Sequence, residues 1–217
     1  MIDTQAFIDQ LASRAKPVRR LTSPLRRTLL WALLAALVIA VVVANHGLRP
    51  GFAASAPKAI EWVGSVLTAL LAAYAVFHIS VPGRSPSWTW LPLPAMLLWL
   101  GGLGWGCARE FLQDGSAAFA FQAASWECAQ AITLISLPLG LILLLMVRHA
   151  GVVRPAPTAM LAALSAAAMS AAGVSLFHEG ESALMVLVWH LGAVTVLSLL
   201  CWLFGQRLFG WIGHARR

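Results

Sequence analysis

Charge is what this chain has least of. Asp, Glu, Lys and Arg together make up 11% of 217 residues, against roughly a quarter in a soluble globular domain. That shortage excludes a soluble fold. Three cysteines are too few for a disulfide scaffold. The sequence has no CxxC or HxxxH spacing, no glycine-rich phosphate loop and no nucleophile motif. Its apolar stretches also carry no cluster of ionisable groups, so the expectation is a protein that is not an enzyme. What is present is 60% hydrophobic residues and a mean hydropathy of +0.81. Six bilayer crossings need roughly 120 apolar residues at about 20 each, and the composition supplies about 130.

Apolar runs fall at about 28–45, 59–80, 91–108, 128–147, 157–177 and 183–204. Turn formers separate them, among them Asn45-His46-Gly47, Pro82-Gly83-Arg84 and Arg154-Pro155-Ala156-Pro157. The expected fold class is an all-α integral membrane protein: a six-transmembrane-helix bundle with a short cytoplasmic N-terminal amphipathic helix. Residues 1–27 form the cytoplasmic segment, 28–204 the membrane domain and 205–217 a cytoplasmic tail. With an even number of crossings both termini share a side, and that side holds twelve of the fifteen Lys and Arg. The other side holds Arg49, Lys58 and Arg109. Excess cations mark the cytoplasmic face, which places both termini in the cytoplasm. The first run is too long, and begins too late, for a cleaved signal peptide; it reads as an anchor.

Small residues suggest helix contacts. Gly102 and Gly106 form a GxxxG, and Ala163, Ala167 and Ala171 recur every four residues, which lets helices approach closely in lipid. Pro138 removes a backbone donor in the fourth run and predicts a kink. Trp31, Trp62, Trp88, Trp90, Trp126 and Trp211 lie where runs meet headgroups, as in an aromatic belt.

Ahead of the first run, DTQAFIDQLASRA predicts a helix of about three turns, capped by Asp3 or Thr4, with Phe7, Ile8, Leu11 and Ala15 on one face. So short a helix is unstable alone in water. It either lies on the membrane, with the basic run behind it on anionic lipid, or presents Phe7, Ile8 and Leu11 to a groove on a soluble partner. The cations from Arg14 to Arg27 are explained by topology, so no direct contact with nucleic acid is expected.

The stretches DTQAFIDQLA, KPVRRLTSP and RRTLLWALL, followed by WECAQAITLISLPLGLILLLMVRHAGVVRP and LFHEGESALMVLVWHLGAV, resemble the NrsF-type family (negative regulator of sigma F). These are six-span bacterial membrane anti-sigma factors, and the resemblance covers essentially the whole chain. It implies an inner-membrane protein whose cytoplasmic N-terminus holds an extracytoplasmic-function sigma factor and releases it on a periplasmic metal or oxidative stress signal. The sigma-binding elements would be Phe7, Ile8 and Leu11, with Pro17, Val18, Arg19 and Arg20 leading to the membrane. The first sensory cysteine of the family matches Cys128. At the second position the family has Cys after His, whereas this chain reads His178-Glu179-Gly180-Glu181.

Independently of the resemblance, the outer loops gather Glu61, Glu110, Asp114, Glu127, Glu179 and Glu181 with Cys107, Cys128, His46 and His178. This face is the expected sensor, centred on Cys128, His178, Glu179, Glu181 and Cys107. Cys107 and Cys128 either pair as a disulfide in an oxidising periplasm or remain separate thiols. No cofactor is required, but Cys128, His178 and Glu181 form a mixed donor set of the kind zinc accepts. His190, inside the last run, is either a functional ionisable group or a neutral hydrogen-bonded histidine, and Cys201 reads as a packing residue. The partners expected are the sigma factor and the lipid bilayer. A second reading is a small six-span transporter or a metal-binding membrane protein.

Overall fold

The computed structural model describes residues 3–14, 21–49, 56–119, 126–177 and 182–211. All regular structure among them is helical: α1 (Thr4–Arg14), α2 (Pro24–His46), α3 (Ala56–Ile79), α4 (Leu93–Asp114), α5 (Trp126–Val147), α6 (Pro155–Val174), α7 (Ala183–Val186) and α8 (Gly192–Trp211). A π-helical turn, Leu187–Leu191, joins α7 to α8 without a break. Two 3-10 segments, Pro86–Trp90 and Gly115–Phe119, flank α4. Six of these stacks are long and apolar enough to cross a membrane.

Local chemistry sets the helix limits. Ser23 caps α2 by accepting from the Arg26 N–H, and Pro24 takes a first-turn position that needs no N–H. At the far end Gly47 turns the chain at φ 85° while its N–H bonds the Val43 carbonyl. Gly115, at φ 61°, ends α4 in the same way. Before that stop, α4 runs on through Cys107, Arg109 and Glu110 to Asp114. Nothing in those side chains opposes a helix, so the charged residues extend it by nearly two turns beyond the apolar run.

α6 is the hub, packed against by α3, α5 and α8, with α2 touching it more lightly. Sixteen of its twenty residues are buried, eight of them alanine. A helix enclosed on every side cannot carry large side chains everywhere without holding its neighbours apart, so alanine, serine and glycine dominate it. The expected Ala163, Ala167 and Ala171 are all among the buried residues. Ser165 adds a polar tie, its hydroxyl donating to the Ala69 carbonyl of α3 at 2.7 Å.

The other close crossings are also made by glycine. A Cβ on Gly102 would stand 2.7 Å from the Glu61 nitrogen, and one on Gly64 would stand 2.6 Å from the Trp99 Cα, so α3 and α4 meet backbone to backbone. Gly205 serves α8 similarly, with the Ala156 Cα 2.7 Å from where its Cβ would be. Pro138 lies inside α5, where it deprives the Leu134 carbonyl of a helical donor.

Candidate functional site

The sequence places functional residues at three locations: the N-terminal segment and the two ends of the bundle. α1 buries none of its residues. Asp3 opens it, its carboxylate accepting from the Gln5 N–H at 3.1 Å. Phe7, Ile8 and Leu11 fall on one face at helical spacing and are 51, 50 and 56% exposed. Three large apolar side chains half open to solvent on a helix that buries nothing make an exposed apolar face. Val18, Arg19 and Arg20, expected to continue this element, lie outside the described residues.

The bundle end nearest α1 is built from the starts of α2, α4 and α6 and the finishes of α3, α5 and α8. It carries Arg26, Arg27, Arg84, Arg148, Arg154 and Arg207, and among the described residues no Asp or Glu. Two of its loops are tied together by Arg154, whose Nη1 donates to the Arg84 carbonyl at 3.0 Å. Ser80 and His78 close α3 inside this end, both buried. The His78 ring stacks on Trp88 of the first 3-10 segment at 3.9 Å and meets Tyr74 edge-on at 4.6 Å. Neither His78 ring nitrogen has a hydrogen-bond partner among the described atoms.

Arg27 is the unexpected member of this end. Sequence reading placed it at the end of the basic run before the first span; in the structure it is 6% exposed. Its Nη2 donates to the Met146 carbonyl in the last turn of α5, and its guanidinium lies 4.4 Å above the centre of the Phe77 ring of α3. The Ser23-Pro24 pair that begins α2 was the available signal, because it puts Arg27 inside the helix rather than in the segment before it. One turn further on, Trp31 is fully buried, its indole donating to the Leu139 carbonyl of α5 at 3.2 Å.

At the opposite end the described acids are Glu61, Glu110, Asp114 and Glu127. Glu61, expected in a loop, lies inside α3 where that helix crosses Gly102 of α4. The chain is pinned here by the Arg49 N–H donating to the Leu176 carbonyl at 2.8 Å, by His46 stacked on Phe177 at 4.8 Å, and by the Trp62 indole donating to the Ala172 carbonyl at 3.2 Å.

Cys128, in the first turn of α5, is 1% exposed and belongs to the core with Ile132, Ile135 and Leu139. Cys107 is half-buried in α4, within electrostatic reach of Glu110 and Glu61. Both are thiols, as is Cys201; α4 packs chiefly on α3 and α5 chiefly on α6. His178, Glu179 and Glu181 lie outside the described residues. Among the described residues no group of three His, Cys, Asp or Glu side chains is placed to hold a metal ion. On the outward face of α5, Trp126, Gln130, Thr133 and Leu134 form an open groove of about 340 Å³ with Trp189 of the π turn. His190, next to Trp189, is buried.

No curated protein and no solved structure shows a significant match to the chain. The family described as NrsF, negative regulator of sigma F, matches residues 11–211. The match takes in the bundle and the end of α1 from Leu11, while Phe7 and Ile8 precede it. With nearly its whole length matched, the chain belongs to the NrsF family of negative regulators of sigma F.

Proposed function

We propose that the chain is a membrane-anchored anti-sigma factor that holds an extracytoplasmic-function sigma factor at the bacterial inner membrane and releases it when a signal arrives from the periplasmic side. The six long apolar helices would be the anchor, with both termini in the cytoplasm, because the arginine-rich end then faces inward. The observation that carries the reading is the open face of α1 in a chain of this family. Phe7, Ile8 and Leu11 have no cover of their own, and a short amphipathic helix set in a groove is an established recognition mode. Val18, Arg19 and Arg20 would extend that contact toward the membrane.

The signal is assigned to the acidic end, with Cys128, Cys107, His178, Glu179 and Glu181 as the sensing set. Cys128 is inaccessible in the packed state. A soft metal ion of the zinc type, or an oxidant, therefore reaches its thiol only as the first turns of α5 loosen, and a ligand that binds only the loosened state favours it. Metal capture by Cys128, His178 and Glu181 is one form of this. A complete swing from held to released requires the signal to favour one state by about 5.5 kcal/mol.

The test is direct binding of purified sigma F to the full chain in nanodiscs. Replacing Phe7, Ile8 and Leu11 together by Ser removes roughly 1 kcal/mol per half-covered side chain, an expected loss of about 100-fold in affinity. Unchanged binding in the triple variant sinks the reading.

A further inference from the structure

Burying a guanidinium is costly unless its hydrogen bonds and charge are answered, and Arg27 is the one buried Lys, Arg, Asp or Glu among the described residues. Its position makes the burial harder to explain by local preference. It sits in the first turn of α2, where the helix dipole disfavours a cation. The side chain instead reaches across to the finish of α5, where the last carbonyls have no helical donor. Its Nη2 meets the Met146 carbonyl there, and a cation complements that helix end. The guanidinium face is used as well, against the Phe77 ring of α3. One residue thus fixes the start of α2 against the ends of two other helices, only ten residues beyond Pro17 of the proposed docking segment.

The helix that Arg27 engages also spans the molecule. α5 has Cys128 in its first turn and Met146 in its last, and Trp31 grips it between them at Leu139. A displacement of the outer part of α5 therefore reaches α2 through two hydrogen bonds, of which the Arg27 bond is nearer the N-terminal segment.

We propose that Arg27 is the positioning residue through which the state of the bundle is coupled to the N-terminal docking segment. The inference rests on the anti-sigma reading and adds the route of regulation. Coupling of this kind is reciprocal: if the bundle sets the docking segment through Arg27, a sigma factor bound to that segment must stabilise the bundle through the same contact. A segment joined to the bundle only by a passive tether would bind without stabilising it.

The experiment compares thermal unfolding of the full chain in nanodiscs with and without saturating purified sigma F, following tryptophan fluorescence, for the natural chain, Arg27→Gln, Arg27→Lys and Phe77→Leu. Binding is measured separately on each. In the natural chain sigma F is expected to raise Tm by about 2–4 °C, the shift that roughly fivefold coupling gives in a chain of this size. Arg27→Gln is expected to bind sigma F while losing that shift, and Arg27→Lys and Phe77→Leu to keep part of it. A residue that merely capped α5 would lower Tm equally with and without sigma F, leaving the difference intact. That result overturns the proposal, as does a natural chain that binds sigma F with no rise in Tm. Should Arg27→Gln fail to fold, an undiminished shift in both Arg27→Lys and Phe77→Leu overturns it equally. Failure of the natural chain to bind sigma F would instead sink the anti-sigma reading beneath it.

Discussion

α1 and α6 are helices of the same chain under opposite conditions. α6 buries sixteen of its twenty residues and is built from alanine, serine and glycine; α1 buries none and exposes its three largest apolar side chains. In α6 every neighbour is supplied by the chain itself, and side-chain size is limited by how closely those neighbours approach. In α1 no such limit applies, and Phe7, Ile8 and Leu11 are large side chains of the kind that gain most from burial in a groove. One helix is enclosed by the fold; the other, on the proposed reading, is enclosed by its partner. Substitutions in the first should therefore be read in stability and substitutions in the second in affinity.

The sharpest way to break that contrast is at Gly205, where α8 touches the start of α6. Gly205→Leu forces a side chain into backbone already 2.7 Å from its Cβ and should cost about 3 kcal/mol or more, seen as loss of a monodisperse folded fraction in detergent chromatography. Gly210→Leu, five residues on with open space at its Cβ, should leave that fraction intact. The complementary experiment is the triple change of Phe7, Ile8 and Leu11 to Ser, with sigma F affinity down about 100-fold and Tm within a degree or so of the natural chain. A marked fall in Tm would mean that α1 leans on the bundle after all, ending the contrast. A smaller effect is expected of Ser165→Ala, which deprives the Ala69 carbonyl of a 2.7 Å partner. The cost should be about 1 kcal/mol, measured by denaturant titration. Trp62→Phe, which removes the bond to the Ala172 carbonyl but keeps most of the ring's packing, should cost about half of that or less.

How far such features could be read from the sequence depended on what distinguishes inside from outside in helices that are apolar all round. In water the buried face of a helix is the apolar one. Here both faces of most helices are apolar, so polarity does not show which side of α5 faces inward. Cys128, Ile132, Ile135 and Leu139 point into the core while Leu134 and Leu137 point away, yet their polarity is alike. Size remains informative, which is why Gly102 and the alanines of α6 were recognisable as contacts. The open face of α1 was legible for a different reason, since a three-turn amphipathic helix ahead of an anchor has to be covered by something. The burial of Arg27 was not legible, because it depends on where the ends of α3 and α5 come to rest. Glu61 was counted with the outer loops because it is charged and close to the start of the second apolar run, whereas α3 begins five residues before it.

The central place of α6 also has a consequence for how the molecule is made. It is the fifth of the six long helices to be synthesised, following α2, α3 and α5, which pack around it. Much of its surface is alanine and serine, so its side chains are smaller than those of the leucine-rich α2 and α5. Of the helices that touch it, only α8 is made later. In chain order α6 thus follows three of the helices that pack around it and precedes the fourth, α8, which meets it with Gly205 at the seam.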